Sequence, residues 1–187
     1  MKKAAFLAIL IGLGITAISV ESCKKSSSTS TAPTLYDSLG GTALVQDPAA
    51  PTGTTIEKGR LLIRNILDST VFVIAADTQI NTYFTVLLSE VGMGNYSGYQ
   101  ALSKNLTDFV CVGTGAKDYT YTGKTMTAAH NPATNPRISM LVDNGDFTEF
   151  ETDLFAGALK NGVPASTPAL MSVGRIVESL RSVIVQR

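Results

Sequence analysis

Apolar positions in this chain fall into two kinds of block. The first is unbroken: residues 4–20 carry no charge and follow Lys2 and Lys3. That basic-then-apolar order reads as a secretory leader, with an uncleaved anchor helix as the competing reading. The later blocks repeat every three to four residues and predict helices. Ile63, Ile66, Leu67, Thr70, Val71 and Ile74 form one stripe. Ahead of it, Thr54-Thr55-Ile56-Glu57 has the form of a capping box. The β-branched cluster Thr70, Val71, Val73 and Ile74 also suits a strand, which leaves that end ambiguous. Ser97-Gly98-Tyr99-Gln100 reads as the cap of a second helix, with Leu102, Leu106, Phe109 and Val110 on one face and Gly113 and Gly115 at its end. Asp146-Phe147-Thr148-Glu149 opens a third, striped by Phe147, Phe150, Leu154 and Leu159 and stopped by Gly162 and Pro164. Pro168 suits the first turn of a last helix carrying Leu170, Val173, Val177, Leu180 and Ile184. Gly- and Pro-bearing loops separate these elements at 47–53, 92–98 and 131–146, and no repeat or β-α-β alternation is visible. The pattern predicts an all-α domain of four longer helices, with a short segment around His130 between the second and third.

Composition sharpens this picture in three ways. Basic and acidic residues balance at 15 each, and no basic stripe stands out beyond the leader, so nucleic-acid binding has no electrostatic footprint. Residues 24–34 are rich in Ser and Thr and read as a hydrated tether. The Val20-Glu21-Ser22-Cys23 run at the end of the leader resembles the lipobox of bacterial lipoproteins. That resemblance implies a signal peptide over 1–22, lipidation of Cys23, a tether over 23–34 and a folded domain over 35–187. It places the domain on the cell envelope, on the periplasmic side or the outer membrane, touching membrane only through the lipid. An ordinary secretory peptide remains the alternative. Cys111 is then left alone and cannot form an internal disulfide; it reads as a buried apolar filler in a helix.

The candidate chemistry turns on the single histidine, His130. A Ser-His-Asp triad would have to use it, and a two-histidine zinc site is excluded. A thiol and an imidazole as distant as Cys111 and His130 carry no catalytic signature. A haem iron, by contrast, needs one protein ligand, which a neutral imidazole supplies. Met126 lies four residues before His130, on the same face of a short helix hemmed by Gly123 and Pro132. A lone histidine near a loop is, on spacing alone, more often a surface or satisfied core residue.

The order of motifs resembles that of a group I truncated haemoglobin. Leu35-Tyr36-Asp37-Ser38-Leu39-Gly40-Gly41 resembles the family's short first helix and glycine pair. Residues 105–111, Thr114-Gly115 and Tyr121-Thr122-Gly123 resemble the distal helix and the turn after it. Lys124-Thr125-Met126-Thr127-Ala128-Ala129-His130 resembles the proximal segment, and residues 147–164 with the last helix resemble the two C-terminal helices, including Gly162-Val163-Pro164. The resemblance implies a shortened globin with a two-over-two helical sandwich, a haem b cofactor and His130 as the axial iron ligand. It places Phe84 against the haem face, and Tyr121, Lys124 and Met126 at the haem edge or proximal side, with Lys124 near a propionate. On the distal side this chain departs from the family. Val71 falls where a tyrosine often sits, and Ala101 and Asn105 fall on the usual distal-helix positions, so Asn105 alone keeps a donor.

The resemblance implies reversible binding of O2, NO or CO. Haem-dependent NO detoxification or a peroxidase-like reaction is the enzymatic alternative. It would need a separate reductase, since no flavin or nicotinamide motif is present. A lipid-tethered helical module that has lost haem is the non-haem alternative.

Overall fold

The computed structural model describes residues 32–187. The leader, Cys23 and the tether up to residue 31 lie outside the described residues.

The expected helices form, with boundaries set by side chains the periodicity does not reveal. A short helix α1 (Leu35–Ser38) is capped by Thr34, whose hydroxyl accepts from the Asp37 N–H while the Asp37 carboxylate accepts from the Thr34 N–H. Strands β1 (Leu44–Gln46) and β2 (Thr55–Glu57) then pair antiparallel, Val45 facing Ile56. This hairpin overturns the capping box expected at Thr54. Glu57 lies in a strand and its carboxylate accepts from the Tyr36 hydroxyl at 2.5 Å, so it is not free to reach back to a helix start. Helix α2 (Lys58–Ala76) begins after it with no side-chain cap. The β-branched cluster at 70–74 is helical, because Thr70, Val71 and Ile74 are all buried on one face of α2.

A 3-10 turn (Asn81–Phe84) and helix α3 (Thr85–Gly92) fill a stretch for which no helix was expected. Helix α4 (Ser97–Gly113) follows. Ser97 is its first residue rather than its cap, and both its N–H and hydroxyl donate to Asn95 Oδ1. A one-turn helix α5 (Met126–Ala129) precedes a loop to α6 (Asn144–Lys160). The cap of α6 is Asp143, three residues before the expected start at Asp146, and Asp146 is the third-position partner of its capping box. Helix α7 (Pro168–Glu178) starts with its proline in the first turn. The expected last helix does not run on to Ile184. It breaks after Glu178 and resumes as α8 (Arg181–Ile184).

The core gathers Tyr36, Ile63, Leu67, Phe147, Leu154, Leu170 and Val177, each drawn from a predicted stripe or the first helix. Helix α2 packs against both α4 and α6. Its crossing with α6 is close because Gly157 faces Thr70: a Cβ at 157 would lie 2.3 Å from Thr70 Oγ1 and 2.8 Å from Thr70 N. Asn161 extends the contact, donating from Nδ2 to Asn65 O at 3.1 Å and to Ser69 Oγ at 2.9 Å. These pairings run α2 and α6 antiparallel. Cys111 is fully buried on α4, and burial pushes its thiol up to about 11, which makes it an inert filler.

Candidate functional site

The turn that carries His130 is too short to persist on hydrogen bonds of its own. Each of its four carbonyls has a partner, and three of those partners come from outside it. Met126 O accepts from both the backbone N–H and Nδ1 of His130, at 3.1 and 2.8 Å. Thr127 O accepts from Gln186 Nε2 at 3.2 Å, Ala128 O from the Thr134 hydroxyl at 2.8 Å, and Ala129 O from Asn135 Nδ2 at 2.7 Å. Thr125 caps the start, accepting from the Ala128 N–H. The loop after the turn and the C-terminal tail therefore clamp it from both sides.

The imidazole is the cap residue of this turn. Met126 and His130 both line one cavity, and the Met126 carbonyl also anchors the ring. A carbonyl only accepts, so Nδ1 carries the proton and the Nε2 lone pair is left without a protein partner. Burial pushes the His130 pKa below its usual value. The ring is neutral at physiological pH, the state a metal requires of an imidazole.

His130 lines a cavity of about 640 Å³, within the range of small-molecule and cofactor sites. All eight positions singled out in the sequence lie on its wall: His130, Met126, Lys124 and Tyr121 from the proximal run, Phe84 from the 3-10 turn, Val71 from α2, and Ala101 and Asn105 from α4. The remaining wall is overwhelmingly apolar, supplied by the stripes of α2, α6 and α7. Tyr121 packs edge-on against Phe109 at 5.2 Å and donates its hydroxyl to Lys124 O at 2.6 Å. Those contacts fix the start of the proximal segment.

Most polar groups on the wall are already paired. The Thr70 hydroxyl donates to Ile66 O at 2.9 Å. Tyr83, pushed up to about 12 by burial and by its bond to Asp146, donates its hydroxyl to that carboxylate. Ser97 is tied to Asn95, and Asn135 holds the His130 turn. The side chain of Asn105 makes no hydrogen bond among the described residues, so its amide is free to serve a ligand.

Two cationic side chains lie on the cavity wall, Lys124 and Arg137. Both are exposed. Lys124 Nζ donates to Thr134 O at 3.0 Å. Arg137 forks onto both oxygens of Glu90, at 3.0 and 2.5 Å. Gly98 makes room for this fork: a Cβ there would lie 2.3 Å from both Arg137 NH2 and Glu90 Oε2. Sequence reasoning missed Arg137, Asn135, Thr134 and Gln186. Each lies in a loop or the tail, outside any periodic pattern, and acts only through tertiary contact.

No protein-family model matches the chain, and no curated protein matches it. Among solved structures, a truncated hemoglobin from Tetrahymena pyriformis, a tyrosine-to-phenylalanine variant in its Fe(III) form, is similar over 83% of this chain and 100% of that chain. The two share 19% identity at a TM-score of 0.56. The fold is thus all-α and of the truncated-haemoglobin type.

Proposed function

We propose that this chain is a haem-binding globin of the group I truncated type that reversibly takes up a diatomic gas. The observation that carries this reading is the arrangement of His130. The chain's one imidazole is held neutral, with Nδ1 locked on a backbone carbonyl and Nε2 unpartnered, on the wall of a large apolar cavity. That donor and those walls fit a flat, hydrophobic, iron-bearing macrocycle, and the solved structure of the same fold is described as an Fe(III) form.

In this reading His130 Nε2 would hold the haem iron. The Met126 carbonyl sets its tautomer and raises its basicity through the Nδ1 hydrogen bond. Lys124 and Arg137 are the two cations that could pair with the carboxylates of a bound haem, Arg137 being held at present by Glu90. The haem supplies reversible coordination of O2, NO or CO, and the chain's residues supply dryness, orientation and one donor. The apolar wall keeps bulk water from the iron. Asn105 offers its amide to the bound gas, and Val71 offers none. A pocket with a single amide donor favours binding and release over firm retention. We further propose that Cys23 is lipidated and displays the domain at the cell envelope, a reading supported by the order of charged, apolar and small residues in the leader.

Titrating the purified protein with haemin tests the proposal. A sharp Soret band saturating at one haem per chain, altered or lost in His130→Ala, is expected. An identical spectrum in the variant overturns the ligand assignment, and no band in the parent overturns haem binding itself.

A further inference from the structure

The antiparallel crossing of α2 and α6 brings together three carboxylates that play no part in the cavity wall. Asp77 is the cap residue at the C-terminal end of α2. Glu149 and Asp153 lie one turn apart on α6. One carboxylate oxygen from each lies within 4.8 Å of the other two. Acidic clusters are common on protein surfaces, but this one is not a surface cluster. Asp153 is only 4% exposed, and its Oδ2 is buried without any hydrogen-bond partner. Asp77 Oδ2 is likewise buried and unpartnered, while its Oδ1 accepts from the Gln79 N–H at 2.8 Å.

Nothing among the described residues neutralises this group. None of the ion pairs there includes Asp77, Glu149 or Asp153. Helix α2 has no basic residue in its last turn, so the negative end of its dipole adds to the carboxylates. A buried carboxylate in such a place either keeps a proton or acquires a cation. Burial, then Asp77 and Glu149, push Asp153 up to about 6.

We propose that Asp77, Glu149 and Asp153 bind a divalent cation of the Ca2+ type. The oxygens are hard ligands, which select Ca2+ or Mg2+ over softer metals. Ca2+ accepts irregular shells of carboxylate oxygens, whereas Mg2+ demands a near-ideal octahedron and gives up its waters reluctantly, so carboxylates fixed by two packed helices suit Ca2+ better. Half-buried Glu149 leaves one side open for the waters that complete the shell. The ion would pin the end of α2 to α6, beside Ile74 and Phe150 of the cavity wall. The site is independent of haem: none of its ligands lines the cavity.

The test is Ca2+ binding to the full chain, without added haem, by calorimetry and thermal melting. Three carboxylates imply a dissociation constant on the order of 10⁻⁴ M. At about 10 mM CaCl2 the midpoint then rises by about 5–10 °C. NaCl of matched ionic strength leaves it unchanged, and MgCl2 raises it less. Asp153→Asn and, separately, Glu149→Gln remove the Ca2+-dependent rise while the proteins stay folded; Asp77→Asn carries the same readout if either fails to fold. Absence of both heat and shift in the parent at 10 mM Ca2+, or a full shift retained in the variants, overturns the site. An equal or larger response to Mg2+ overturns the choice of Ca2+.

Discussion

Replacing Gly157 by alanine tests the crossing on which the cavity is built. The added Cβ would lie 2.3 Å from Thr70 Oγ1, 2.8 Å from Thr70 N and 2.9 Å from Thr70 Cα. Two of these neighbours are backbone atoms of a helix and cannot rotate away, so α2 and α6 must separate. Overpacking of this kind costs about 1–3 kcal/mol. Alanine returns about 1 kcal/mol through its better helix propensity. Because the clash is with backbone, the upper part of the strain range applies, and the net loss is about 1–2 kcal/mol. For a domain of this size the melting midpoint falls by roughly 2–8 °C. Urea denaturation at neutral pH reads the loss directly as a lower midpoint with an unchanged slope. Adding Thr70→Ala removes the Oγ1 contact alone and restores only part of the stability. A Gly157→Ala protein as stable as its parent, or more stable, would refute the close crossing.

Three further outcomes are expected. Asp108 is paired with Arg60 at 2.7 Å and Lys104 at 2.6 Å. Burial pushes its carboxyl up, but the bonds from Lys104 and Arg60 outweigh that and hold it below the usual range. Its contribution is therefore present above pH ~4 and lost as pH falls through the depressed value. Asp108→Ala strands a partly buried guanidinium and lowers unfolding free energy at pH 7 by about 3 kcal/mol, a loss that shrinks in acid melts. Asp153 has the opposite sign. Its folded-state value of about 6 lies above the unfolded one, so its contribution is present below pH ~4 and lost as pH rises through 6. Asp153→Asn is thus expected to gain about 1–2 kcal/mol in calcium-free buffer at pH 7.5 and nothing at pH 4, as read by denaturation at the two pH values. Val71→Tyr places a hydroxyl at a position of the cavity wall that has none, and stopped-flow measurement on the haem complex is expected to show oxygen release slowed about tenfold, the effect of one new hydrogen bond.

Three of the longer helices were legible because each buries most of one stripe, and the stripes of Ile63 to Ile74, Phe147 to Leu154 and Leu170 to Val177 became the core, while Leu159 of the second is exposed; α4 instead buries Ser103, Thr107, Asp108 and Cys111 and turns its expected stripe, only half-buried, to the cavity wall. Helix starts were less legible, because capping side chains answer to competing partners. Glu57 is taken by Tyr36 and a strand, and Ser97 by Asn95. Asp143 was unread because Asp146 presents the same acidic signal three residues later. The hairpin escaped because three-residue strands show no period. His130 stood out by being alone in the chain. The groups that hold its turn did not, since Thr134, Asn135 and Gln186 matter only for the carbonyls they meet after folding.

The chain's single histidine also makes the central claim testable at one atom. Labelling the protein with 15N-histidine places heavy nitrogen at position 130 and nowhere else in the chain. Resonance Raman spectra of the reduced, gas-free haem complex should contain an iron–nitrogen stretching band that moves to lower frequency with the label and is absent in His130→Ala. A band insensitive to the label, or one that survives the substitution, would contradict ligation by this imidazole.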